Sequence, residues 1–142
     1  MSISPIVLKR TYPVSARSVF NAWTQPDLMS QWFFVQKGWS ARAKNDLRIE
    51  GKFHLDMVAP DNKVSHYHGV YQEITPFSKL SFTWNSARVA NTLLTIVLKD
   101  DIIQTDLTLT HQYFKTQAEQ DSQQPGWIEC LENLEKFLTQ KL

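Results

Sequence analysis

Histidine side chains are the first candidates for chemistry, because imidazole binds metal ions and transfers protons near neutral pH. The sequence Ala-Pro-Asp-Asn at 59–62 predicts a turn. A hairpin symmetric about this turn places His54 opposite His68 on one face of two strands. On the same face, Asp56 lies opposite His66, which completes a plausible ligand set for zinc or nickel. The same register puts the apolar side chains on the other face, so we expect exposed histidines, no metal and no cofactor.

His111 belongs to a different pattern. It follows Leu107 and Leu109 at intervals of two, so a strand points all three side chains to the buried face. Inside a pocket, His111 can hydrogen-bond a ligand oxygen or act as a general acid or base. In a packed core, a neighbouring backbone or hydroxyl group satisfies it instead. The sequence places no second titratable residue beside it on the inward face, so we name no catalytic residue.

Cys130 is the one cysteine of the chain. It lies three residues after Trp127 and four before Leu134, on the flank of a helical stripe. A nucleophilic role requires a base or a helix N-terminus that lowers the pKa of the thiol, and the predicted helix start is about a turn away. A small buried apolar residue is the simpler interpretation, because free cysteine is among the most buried residue types.

Aromatic residues make up 12% of the chain and are the strongest remaining signal. Core packing accounts for most of them. The others suit a pocket for a planar apolar ligand, with Tyr67, Tyr71 and His111 as its polar points. The predicted pocket-lining residues are Trp32, Phe34, Phe53, Leu55, Tyr67, Tyr71, Phe82, Trp84, Ile96, Leu109, His111, Trp127 and Leu131.

The periodicity of the chain predicts the elements that position these residues. Residues 6–12 alternate as a strand, which ends at Pro13 and is expected at a sheet edge. Two short helices follow, the first capped by Ser15 and the second with Pro26 in its first turn. From residue 39 to 111 the period is two, which is typical of an antiparallel meander.

A long amphipathic helix is predicted to end the chain. It begins at Pro125, and residues 115–124 form a polar connection rich in glutamine. Its apolar stripe consists of Trp127, Leu131, Leu134 and Leu138. We therefore expect an α+β fold, in which a curved antiparallel sheet of about six to seven strands wraps around this helix.

Length and charge limit the class of protein. The chain has 142 residues, which predicts a single domain over 1–142. The net charge is +1 and the basic residues are scattered, which disfavours nucleic acid as a partner. Residues 1–5 do not resemble a signal peptide, and no apolar run is long enough to span a membrane. A single cysteine suits a reducing compartment, so we expect a cytoplasmic protein without membrane insertion; its oligomeric state stays open.

Several segments, in order along nearly the whole chain, resemble a known family. They are VSARSVFNAW at 14–23 with QWF at 31–33, GKFH at 51–54, GVYQEITP at 69–76, KLSFTW at 79–84, TDLTLTH at 105–111 and GW at 126–127. Together they resemble the START-like (SRPBCC) superfamily with its helix-grip fold, and within it the homologues of the activator of the heat shock protein 90 ATPase. Members of this family usually have two glycines where this chain has Glu50 and Gly51.

The resemblance implies several functions. Relatives include binders of hydrophobic ligands, polyketide cyclases, antibiotic self-resistance proteins and the C-terminal half of the eukaryotic chaperone activator. The first expectation is a protein that binds a small hydrophobic or aromatic ligand between the sheet and the C-terminal helix. One alternative is a co-chaperone-like interaction module of the stress response, with a chaperone as partner. The other is a cyclase or hydrolase that uses the inward His111.

Overall fold

The computed structural model describes residues 3–140. Its elements are β1 Ile6–Tyr12, α1 Ala16–Thr24, α2 Pro26–Met29, β2 Ser40–Asn45, β3 Lys52–Val58, β4 Val64–Thr75, β5 Lys79–Trp84, β6 Thr92–Asp101, β7 Gln104–Gln112 and α3 Gln117–Leu138. Within this described range, one sheet of seven strands has the order β1-β7-β6-β5-β4-β3-β2, and every neighbouring pair is antiparallel. This confirms the predicted α+β fold, a curved sheet packed around a long C-terminal helix.

The alternation of the strands determines which side chains face α3. In β3, Phe53, Leu55 and Met57 are buried, whereas His54 is exposed. The hairpin of β3 and β4 has the predicted register, with His54 opposite His68. Strand β1 lies at one edge of the sheet, as predicted from the proline that follows it. The sheet therefore presents a continuous apolar face to α3.

The two short helices connect β1 to the rest of the sheet. The Ser15 hydroxyl accepts a hydrogen bond from the backbone N–H of Ser18 at 3.1 Å, which satisfies a free donor of α1. Pro26 occupies the first turn of α2, where its missing N–H costs nothing. After α2, the Trp32 indole donates a hydrogen bond to the Ala22 carbonyl at 2.9 Å. This bond holds the segment after α2 against α1.

Helix α3 begins earlier than the sequence analysis predicts. It includes Gln117 to Leu138, so the interpretation of residues 115–124 as a connection is wrong. The Thr116 hydroxyl accepts from the backbone N–H of Glu119 at 3.1 Å, and the Glu119 carboxylate accepts from the N–H of Lys115 at 2.9 Å. This arrangement resembles a capping box and stabilises a helix start in polar sequence. Pro125, predicted to open the helix, lies inside it.

The connection between β2 and β3 has an unusual backbone. Glu50 has a φ of 65°, in the left-handed region that glycine adopts most easily. Beside it, a Cβ on Gly51 would lie 1.9 Å from the Asp46 carbonyl oxygen, so only glycine fits there. The N–H of Glu50 donates to the Tyr71 carbonyl at 2.8 Å. The turn is thus held against β4 although one of its expected glycines is a glutamate.

Candidate functional site

A partly open cavity of about 370 Å³ lies between the sheet and the first half of α3. Strands β3, β4 and β5 form one side, and α3 forms the other. Two loops, over residues 34–39 and 85–91, complete it. The lining residues are Val35, Gln36, Trp39, Met57, Ser65, Tyr67, Trp84, Arg88, Ser122, Gln123, Pro125, Gly126, Trp127 and Cys130. The volume is at the lower end of the ~300–1,000 Å³ of ligand pockets, which suits one small molecule.

Three aromatic side chains form the apolar part of the lining. The rings of Tyr67 and Trp84 stack with their centroids 4.9 Å apart. The ring centroids of Trp84 and Trp127 are 5.0 Å apart, with their planes tilted by 53°. Because both tryptophans are almost fully buried, they reach the cavity with a small part of their surface and pack into the core with the rest. Together with Tyr67 they give the lining its aromatic character.

Two polar side chains at the cavity, Ser122 and Gln123, come from α3. The Trp84 indole N–H donates to the Gln123 side-chain oxygen at 3.3 Å. The Gln123 amide then donates to the Ser122 hydroxyl at 3.1 Å, and that hydroxyl donates to the Glu119 carbonyl at 2.7 Å. These bonds fix the first turns of α3 over Trp84. Burial raises the pKa of the Tyr67 hydroxyl, with a smaller lowering by the charge of Arg88, so Tyr67 is a neutral hydrogen-bonding group.

Helix α3 is tied closely to the loop at 34–39. A Cβ on Gly126 would lie 3.0 Å from Val35, so glycine permits this close approach. One and two turns later, the Cys130 thiol and the Asn133 amide both donate to the Phe34 carbonyl, at 3.3 and 3.0 Å. Burial also raises the pKa of the Cys130 thiol strongly. The cysteine is therefore a protonated, structural side chain that borders the cavity.

His111 lies inside the core, next to the cavity but outside its lining. Its Nδ1 accepts from the Trp127 indole N–H at 2.9 Å. Because an indole nitrogen only donates, the ring proton is on Nε2, which is 2.8 Å from the Thr92 hydroxyl. That hydroxyl donates to the Trp84 carbonyl at 2.6 Å. His111 thus connects α3 to β6 and β5 as a neutral, fully paired side chain.

This environment argues against acid–base chemistry by His111. The side chain is fully buried, with 0% exposure. Burial lowers the pKa of its imidazole to about 3. Both ring nitrogens are already engaged, so neither points to a ligand. The geometry supports the interpretation of a core histidine satisfied by a hydroxyl group.

The structure places the predicted pocket residues in three different surroundings. Tyr67, Trp84 and Trp127 lie in the cavity lining. Phe34 is half-buried and instead borders a separate depression near the end of α3. The rest are packed in the core outside the lining: Trp32, Phe53, Leu55, Tyr71, Phe82, Ile96, Leu109, His111 and Leu131. They face the core as predicted, but other side chains of the hydrophobic core pack against them and they do not border the cavity.

Most of the remaining lining comes from residues that periodicity does not select. Trp39 and Arg88 lie in loops, whose positions depend on tertiary packing. Ser122 and Gln123 reach the cavity because α3 begins at Gln117. The pattern Thr-x-x-Glu at 116–119 is a signal for that early start, and it would have placed both residues on the helix.

The histidines of β3 and β4 lie on the outer face of the sheet. The rings of His54 and His68 have centroids 6.3 Å apart, and His66 Nδ1 lies 2.7 Å from the Asp56 carboxylate. Between residues 3 and 140, no group of three or more His, Cys, Asp or Glu side chains is placed to hold a metal ion.

Over the same range, no helix has the length and apolar character needed to cross a membrane.

The fold and the position of the cavity define a START-like protein with the helix-grip fold. The chain belongs to the family of activator of Hsp90 ATPase homolog 1-like proteins, whose model matches residues 13–139. This confirms the resemblance found in the sequence. A comparison with curated proteins finds no match.

Solved structures of similar proteins show the same fold. Protein CV1439 from Chromobacterium violaceum is 18% identical, with a TM-score of 0.86, over 96% of this chain and 98% of that chain. Protein NE0264 from Nitrosomonas europaea is 26% identical, with a TM-score of 0.82, over 96% of this chain and 94% of that chain. The AHSA1-like protein from Aeromonas hydrophila is 21% identical, with a TM-score of 0.81, over 94% of this chain and 91% of that chain. These likenesses establish the architecture, and a shared fold does not by itself determine the function.

Proposed function

We propose that this protein binds a small aromatic or otherwise hydrophobic molecule in the cavity between the sheet and α3. The observation that carries the proposal is the partly open space of about 370 Å³ beside Tyr67, Trp84 and Trp127. A flat apolar ligand gains affinity there because it removes aromatic surface from water and stacks on the rings. Gln123 and Tyr67 supply hydrogen-bonding groups that orient it.

Native mass spectrometry of the protein purified from its own host tests this proposal. We expect a fraction of molecules to retain a small organic mass. The variant Ser65→Phe, which places a ring in the cavity, is expected to lose that mass. If no mass is retained and no aromatic compound raises the melting temperature of the protein, the proposal is contradicted, because a ligand that binds the native state must stabilise it.

A second candidate is an interaction with a chaperone. It is favoured by membership of a family that is described by activation of the Hsp90 ATPase. The test is to add the protein to the Hsp90-type chaperone of its host and to measure ATP hydrolysis. Stimulation that persists in Ser65→Phe would assign this activity to the surface of the protein, whereas unchanged hydrolysis would contradict the candidate.

A further inference from the structure

Arg88 gives the cavity its charge. Among the described residues that line the cavity, Arg88 is the one with a formal charge at neutral pH, and none is acidic. It lies in the loop between β5 and β6, and its side chain is exposed at the rim. A ligand that enters the cavity therefore meets one cation and no opposing carboxylate in the lining.

The loop holds the backbone at Arg88 in a defined position. The N–H of Arg88 donates to the Ser86 hydroxyl at 3.1 Å, and the N–H of Ser86 donates to the Val89 carbonyl at 2.8 Å. The N–H of Asn91 donates to the Asn85 side-chain oxygen at 2.7 Å. Val89 is buried and anchors the loop to the core. The guanidinium thus extends from a fixed base at the cavity rim.

The Arg88 guanidinium is also free to bind. Four described basic side chains, Arg42, Arg48, Lys63 and Lys79, pair with carboxylates. Within residues 3–140, no ion pair engages Arg88. Its charge acts on the Tyr67 hydroxyl, whose pKa is raised mainly by burial and lowered to a lesser extent by Arg88. Arg88 lines the same cavity as Tyr67, Trp84 and Trp127.

From this arrangement we infer that the ligand is an aromatic anion, with its rings against Tyr67, Trp84 and Trp127 and its anionic group at Arg88. The inference rests on the proposed function and specifies the ligand class. A guanidinium presents two parallel N–H donors, which match the oxygens of a carboxylate or phosphate group. The apolar rings and the anionic group of such a ligand then each meet a matching group in one small site.

Two fluorescent probes with the same ring system test the inference. 1-Anilinonaphthalene-8-sulfonate carries an anionic group, and N-phenyl-1-naphthylamine lacks it. We expect the purified wild-type protein to bind both and to bind the sulfonate more tightly. Arg88→Gln should weaken binding of the sulfonate about 5- to 10-fold and leave binding of the neutral probe unchanged, because only the charge-assisted contact is removed.

Matched variants assign the effect to this cavity. Arg42→Gln removes a positive charge from the outer face of the sheet, and we expect it to leave both affinities unchanged. Ser65→Phe should weaken the binding of both probes, because its ring fills the part of the site that they share. Competition by 1-naphthoate and by 1-naphthyl phosphate then shows whether a carboxylate or a phosphate group is preferred.

The outcomes separate the inference from the proposed function. If both probes bind with equal affinity and Arg88→Gln changes neither, the inference is overturned and the hydrophobic cavity remains. An equal loss in Arg42→Gln and Arg88→Gln also overturns it, because net charge and not the site would then explain binding. If neither probe binds, or if Ser65→Phe binds both as well as the wild type does, the proposed function fails with it.

Discussion

At the residue scale, His111 shows how one side chain can be polar and still belong to the core. One ring nitrogen accepts a hydrogen bond and the other donates one, so both nitrogens of the neutral imidazole are paired. Protonation of Nδ1 would replace the acceptor of the Trp127 indole N–H by a second donor. The hydrogen bonds therefore require the neutral ring, and burial, which disfavours the charged form, lowers the pKa of His111 to about 3.

This requirement predicts a dependence of stability on pH. The folded-state pKa lies below the ordinary value of about 6.5, so the unfolded chain binds a proton at His111 that the folded protein does not. The contribution of His111 is thus fully present above about pH 6.5 and is lost as the pH falls towards 3. We expect the free energy of unfolding to decrease by about 2 kcal/mol between pH 7 and pH 5 through this group.

Urea unfolding of variants at both pH values isolates the effect. His111→Gln should be less stable at pH 7 because the hydrogen-bond network is broken. Between pH 7 and pH 5, however, its free energy of unfolding should decrease by about 2 kcal/mol less than that of the wild type. His54→Gln, which removes an exposed histidine outside this hydrogen-bond network, is the matched control. An equal pH dependence in His111→Gln and the wild type would contradict the assignment.

At the element scale, the start of α3 depends on a polar cap. Thr116→Ala removes the hydroxyl that accepts from the Glu119 N–H and should lower the free energy of unfolding by about 1 kcal/mol. Thr139→Ala removes an exposed hydroxyl at the other end of α3 and should cost only a few tenths of a kcal/mol. Chemical denaturation measures both. Equal effects of the two substitutions would show that the cap contributes nothing specific.

The turn between β2 and β3 carries a second prediction at this scale. Glu50→Gly relieves the left-handed strain at a φ of 65° and should raise the free energy of unfolding by about 0.5–1 kcal/mol, after the greater entropy of glycine in the unfolded chain is subtracted. Glu132→Gly, in the exposed interior of α3, should instead lower it by about 1 kcal/mol. Destabilisation by both would mean that other contacts of the Glu50 side chain outweigh its backbone strain.

The elements also show what can be predicted from sequence and what cannot. Strand alternation correctly assigned His54 and His68 to the outer face and His111 to the inner one, because the side-chain period of a strand is fixed by its geometry. Orientation alone does not reveal an empty volume. Leu109 and Tyr67 both point inward, yet only Tyr67 borders the cavity, since the space before Leu109 is filled. Such filling depends on how distant elements pack.

At the scale of the whole molecule, α3 closes on the sheet along one half and leaves a cavity along the other. Leu131 has 0% exposure and its carbonyl accepts from the Tyr12 hydroxyl at 3.2 Å. Leu131→Trp should therefore overpack a filled core and lower the free energy of unfolding by about 1–3 kcal/mol. Ser65→Phe, in the open half, should cost less than about 1 kcal/mol because its ring enters existing space.

Thermal unfolding of both variants, with and without the neutral naphthyl probe, checks this division. We expect Leu131→Trp to keep the stabilisation that the probe confers, and Ser65→Phe to lose it. The reverse result would show that the probe binds near the second half of α3.

The order of the strands also affects how the protein behaves at high concentration. An open sheet leaves β1 and β2 with unpaired backbone groups, which are templates for edge-to-edge aggregation. Pro5 and Pro13 flank β1, which carries Lys9, and β2 carries Arg42 and Lys44. Positive charge on both edges makes any pairing of copies through them repulsive. Salt screens that repulsion, so we expect self-association to increase with ionic strength.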